Sequence, residues 1–168
     1  LRFALDRGVA MMHGQFAYAS ASGTLTGTTT IDGLRYHTDD GTKLTVDHAT
    51  VDLRPWALLG HTLHVARARI DGVTLDLAPS KPSSQSSAFS LKPPLAIVLD
   101  DTLLTHIVVN QEGKQTFAAD SLAIAGKWSS RQLLIKQLAL RAPDGNANLD
   151  GTLAIARGYP GHGNAKFD

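Results

Sequence analysis

Apolar residues recur along this chain with two different periods. Over the first dozen residues Leu1, Leu5, Val9 and Met12 fall at helical spacing, and Gly14 stands where a helix would end. The pattern predicts a short helix over 1–12. Beyond it the period drops to two. Leu44 and Val46 alternate with Lys43, Thr45 and Asp47; Val51 and Leu53 alternate with Thr50 and Asp52. Leu63 and Val65 flank His64, and Val73, Leu75 and Leu77 alternate with Thr74 and Asp76. Ile107 and Val109 follow, then Leu122 and Ile124, Leu133 and Ile135, Leu149, and finally Leu153 and Ile155. Such alternation belongs to short strands with one wet and one dry face. It predicts a mainly β chain of roughly ten to twelve strands.

The interruptions carry as much information as the pattern. Apolar parity switches from even to odd positions at Asp47–His48, and again near Gln137, where Leu133 and Ile135 give way to Leu138 and Leu140. Both places predict a β-bulge. Asp-Gly occurs five times, at 32–33, 40–41, 71–72, 144–145 and 150–151. Asp-Gly suits tight hairpin turns, so Ile31–Leu34 and Ile70–Val73 each read as strand, two-residue turn, strand. Pro55 to Gly60, with Trp56, Leu58 and Leu59, reads as a helical turn or tucked loop that plugs an apolar end. Pro79 to Pro94 holds four of the seven prolines and a run of serines without alternation, which predicts a loop or linker over 79–94. The halves on either side align with one another at offsets of 70 to 73, Leu34 with Ile107, Trp56 with Trp128 and Ile70 with Leu140. A true repeat would stack like units instead of closing one core.

Composition narrows the function. With 168 residues, 43% apolar and 18% charged, the chain is neither disordered nor a coiled coil, and one β-rich unit over 1–168 is expected. The net charge of +1 provides no field for nucleic acid, and aromatics at 6% are too few for base-stacking platforms. There is no Cys, which removes disulfides, thiolate nucleophiles and thiolate metal sites. His61 and His64 form the one close histidine pair, with no third ligand at suitable spacing. Asp100 and Asp101 are adjacent, so on a regular strand they point to opposite faces and need a bulge to converge. No nucleotide-binding loop or nucleophile elbow is present. The expectation is a non-enzyme without metal or cofactor. The longest aliphatic run, Leu95 to Leu99, is far below the roughly 20 residues that span a bilayer. With Leu1 first and no signal peptide, the chain reads as a soluble piece of a longer protein.

A long series of half-apolar strands pairs two sheets into a sandwich, closes a barrel, or curls with its dry face open. An open dry face would be a binding site, because soluble monomers rarely expose so large an apolar patch. Particular phrases favour the open form. The run Gly33–Tyr36, Thr42–Val46, Thr50–Gly60, Thr62–Val65 and Ile70–Leu75 resembles the N-terminal periplasmic region of the TamB family, within the wider AsmA-like group. The Pro/Ser interruption followed by Phe89–Lys92 and Leu95–Ile97 is similar, as is the opening Leu1–Leu5.

The resemblance implies a curled, elongated, antiparallel-type sheet shaped like a folded taco, with an apolar groove. It implies a periplasmic location, tethering to the inner membrane in the full-length protein, and work with the outer-membrane barrel subunit TamA. Two functions follow from it: transfer of phospholipid between inner and outer membranes, or assembly of outer-membrane proteins and autotransporters by strand addition. The groove candidates are the dry-face residues named above, from Leu44 to Ile155. A dozen strands at about 4.8 Å spacing would make a groove roughly 55 Å long, holding acyl chains at about 0.8 kcal/mol per buried methylene. The scarcity of aromatics on the dry face leans toward acyl chains.

Overall fold

The computed structural model describes residues 15–24, 26–39, 41–78, 93, 95–154 and 161–167. The helix expected over 1–12, Ile155, and the 79–94 loop apart from residue 93 lie outside the described residues. Ten strands form one open, curled sheet. They are β1 (Gln15–Ala17), β2 (Ser20–Gly23), β3 (Thr28–His37), β4 (Lys43–Leu53), β5 (Thr62–Leu77), β6 (Ala96–Gln111), β7 (Lys114–Trp128), β8 (Gln132–Ala142), β9 (Gly145–Ala154) and β10 (Gly161–Phe167). The sheet runs β1-β3-β4-β5-β6-β7-β8-β9-β10, with β2 also paired to β3. At about 4.8 Å per strand it extends roughly 38 Å from β1 to β10, shorter than a dozen strands would give. The strands are correspondingly longer, and β5 and β6 reach 16 residues each.

Pairing is antiparallel except between β5 and β6, which run parallel. The sheet is therefore not wholly of the antiparallel type. The meander β3-β4-β5 is followed by the meander β6-β7-β8, entered in the same direction.

The Asp-Gly reading needs correction at three places. Asp32-Gly33, Asp71-Gly72 and Asp150-Gly151 lie inside β3, β5 and β9 and make no turn. Gly33 and Gly72 do adopt the left-handed backbone that Asp-Gly favours, with φ of 58° and 67°. They use it to crease a strand. Gly33, Asp47, Gly72, His106 and Asp120 stand in one transverse row, and the ladders skip this row from β3 to β7. His106 shares the left-handed conformation, with φ 52°. Register is the same on both sides, so the break at Asp47–His48 is a shared crease and not an inserted residue. Alternation flips in β3 to β7 together, which keeps Val46 and Ala49 on one face. Near Gln137 the register does shift, between Ile135 and Leu138, as a bulge requires. Tight turns occur where both neighbours pair: at Pro143–Asp144, and at Glu112–Gly113 with φ of 52° and 75°. The latter is the double positive-φ signature of a hairpin turn.

No second sheet covers this one among the described residues. The buried apolar residues are few, and no large side chain falls below 2% exposure. The main cluster is a row across the sheet, Val46, Val73, Ile107 and Ala119, with Ala49 beside it. Side chains on one curled face shelter each other, and a sandwich core is absent from the described residues.

Pro55–Gly60 forms a 3-10 turn, but it plugs nothing. Trp56 is 78% exposed and Leu59 80%. Its apolar side chains have no second layer to enter.

Candidate functional site

Cross-strand partners share a face, so the register defines the apolar surface row by row. One row runs Tyr36, Leu44, Leu75, Val109, Phe117, and the next Leu34, Val46, Val73, Ile107, Ala119. Beyond the crease come Ile31, Ala49, Ile70, Leu104, Leu122, Leu140 and Ala147. Then come Thr29, Val51, Ala68, Thr102, Ile124, Leu138 and Leu149. The last two rows are Leu53, Val65, Leu99, Gly126, Ile135, Gly151, and Leu63, Ile97, Trp128, Leu133, Leu153.

Of the sequence-derived candidates, all the described ones except Leu77 fall in these rows. Leu77 sits at the end of β5, opposite Gln111, and is 38% exposed. The alternation missed Ile97 and Leu99, which sit inside a continuous aliphatic run, and Ile70, Leu104, Leu138 and Leu140, whose parity is reset by the crease and the bulge. The uninterrupted run Leu95–Leu99 was the available signal for the first two.

The surface is dented where glycine replaces a side chain. A methyl group on Gly126 would overlap the carbonyl of Leu134, and one on Gly151 would stand 2.6 Å from Gly163 Cα. Two depressions open beside these glycines. One, of about 120 Å³, is lined by Ile97, Leu99, Ile124, Gly126, Trp128, Leu133 and Ile135. The other, of about 200 Å³, shares Leu133 and Ile135 and adds Leu149, Gly151 and Leu153. Thr29 and Thr102 are buried polar residues of this face, Thr102 in its middle. The Thr29 hydroxyl donates to the Thr24 carbonyl, whereas that of Thr102 is buried and without a hydrogen-bond partner.

The opposite face carries the ionic chemistry. Asp32 accepts from Ser20 Oγ at 2.6 Å and lies 2.6 Å from His48 Nδ1. Asp71 accepts from the Thr105 hydroxyl and lies 2.6 Å from His106 Nδ1. The Ser20 and then the His48 hydrogen bonds hold the Asp32 carboxyl below the ordinary carboxylate range; Thr105 and then His106 do the same for Asp71. The strand irregularity between Leu99 and Thr102 gives Asp100 and Asp101 separate partners instead of a shared substrate site. Asp100 Oδ2 lies 2.7 Å from His64 Nε2, and Asp101 accepts from Arg69 at 2.6 Å with Arg67 at 3.6 Å. His64 is thus engaged with a carboxylate, while His61 caps the 3-10 turn. Among the described residues no three His, Asp or Glu are grouped to hold a metal. No described helix is long and apolar enough to cross a membrane.

What this arrangement offers is an extended, largely apolar surface with shallow dents. A family model described as TamB, N-terminal domain, matches residues 1–141. No curated protein matches the chain.

Proposed function

Because this chain belongs to the family of TamB N-terminal domains, we propose that it is a non-catalytic module of the translocation and assembly module whose apolar face forms a groove for phospholipid acyl chains. One observation carries the reading: successive rows of Leu, Val and Ile occupy one face of a sheet that has no covering layer among the described residues. Each methylene withdrawn onto that face gains about 0.8 kcal/mol, and the shallow dents bind no position deeply enough to trap a chain. The parent protein then acts in the periplasm, tethered to the inner membrane, and passes lipid toward the outer membrane and its barrel subunit TamA.

The test is a photocrosslinking amino acid placed at Ile124 or at Ala123, adjacent residues on opposite faces. Protein purified from cells should carry lipid adducts at Ile124 and not at Ala123. Equal labelling at both, or none, would remove the support. A second reading, strand addition to unfolded outer-membrane proteins, draws on β10, which pairs with β9 on one side and with no described strand on the other. It expects peptide adducts along β10.

A further inference from the structure

We infer that the strand-end rim carrying the 3-10 turn docks on the surface of an anionic phospholipid bilayer. The two ends of the sheet differ in their loops. At the end where β4 leads into β5 and β7 into β8, the loops present Trp56, Leu58, Leu59 and the exposed Arg54 and Arg131. No Asp or Glu lies among the described loop residues there. At the opposite end the described loop residues include exposed Asp39, Glu112 and Asp144, beside the exposed Lys43, Lys114 and Arg141 of the adjoining strand ends. One end is apolar and basic in its described loops, the other polar and of mixed charge.

Trp56 at 78% exposure and Leu59 at 80% meet water from a six-residue turn that has no buried residue. Exposed apolar tips of this kind mark a surface that something covers. The chemistry specifies what covers it. Tryptophan prefers the headgroup level of a bilayer, leucine reaches the acyl boundary just below, and flanking arginines pair with lipid phosphates. The end of mixed charge offers no exposed tryptophan and gains little from the same surface, which sets the orientation. This docking is independent of what occupies the sheet face.

The experiment is sedimentation of the purified chain with vesicles of phosphatidylcholine, with or without phosphatidylglycerol, together with tryptophan emission. Binding should require phosphatidylglycerol, weaken with salt and shift emission to the blue. Trp56→Ser should abolish most of the shift and lower binding at least about tenfold, with circular dichroism unchanged because Trp56 is 78% exposed. Arg54→Gln and Arg131→Gln should each lower binding about fivefold. Gln115→Ser, an exposed position at the far end of β7 and outside the apolar rows, should leave it intact, and lipid adducts at Ile124 read the groove separately, so failure of the groove reading and failure of this one remain distinguishable. Unchanged binding by Trp56→Ser, equal binding to neutral vesicles, or a self-association without vesicles that Trp56→Ser removes would each overturn the inference.

Discussion

Asp47 lies across Gly72. A methyl group built on Gly72 would overlap the Asp47 carboxylate and stand 2.7 Å from its Cβ. The two residues belong to neighbouring strands at the crease, and Gly72 holds φ at +67° there. The Asp47 carboxylate could swing aside, but its Cβ could not without moving the strand.

Gly72→Ala should therefore destabilise the chain by about 2 kcal/mol, from left-handed backbone strain and displacement of Asp47. Asp47→Gly in the same chain should restore the part due to overlap and leave the part due to φ. Urea unfolding of the two single variants and the double variant measures both. Additive losses would mean that the contact does not matter.

Thr102→Val should stabilise. The Thr102 hydroxyl is buried on the apolar face with no partner, between Ala68 and Ile124. Valine keeps the shape and removes the orphaned group, a gain of about 1 kcal/mol. A melting temperature unchanged or lower would show that the hydroxyl is satisfied.

Strand content and the identity of the dry face were legible because alternation survives wherever strands are regular: Leu44 and Val46, Val73 and Leu75, Ile107 and Val109. The crease was half legible. Its parity switch at Asp47–His48 is visible, but an αL glycine serves a hairpin and a strand crease equally, so Asp71-Gly72 looked like a turn. Trp56, Leu58 and Leu59 looked buried because apolar content does not reveal whether a second layer exists to receive it. The dents at Gly126 and Gly151 depend on which backbones lie opposite, a relation set by long-range register and invisible along the chain. The parallel join of β5 to β6 was hidden in the same way.

Acid should weaken the fold through the wet face. Asp32, Asp71 and Asp101 are held below the ordinary carboxylate range, first by hydrogen bonds from Ser20, Thr105 and Arg69 respectively. A lowered folded value means that their stabilisation is complete above the unfolded value, about 3.9, and is lost as pH falls through the folded one. Melting temperature should thus fall as pH drops below about 4. All three carboxylates are solvated, so the fall should be modest. Asp71→Asn should make it shallower; an identical acid limb would separate these contacts from acid stability.

A charge in the middle of the apolar face should harm lipid carriage more than folding. Ile124 and Val51 lie in the same transverse row, and both are half-buried. Under a covering layer, Ile124→Asp or Val51→Asp would bury an unpaired carboxylate, cost several kcal/mol and unfold the chain. On an uncovered face the carboxylate stays partly hydrated, and the cost should be about 1–2 kcal/mol. An acyl chain passing that row would have to strip the carboxylate of water, which raises a barrier where the wild-type face has none. The measurement is paired: thermal melting of each variant, and lipid crosslinking or co-purification with it. Folded protein carrying less lipid supports the conduit. Unfolded protein points to a covered core. Folded protein with normal lipid moves the cargo elsewhere and favours strand addition along β10.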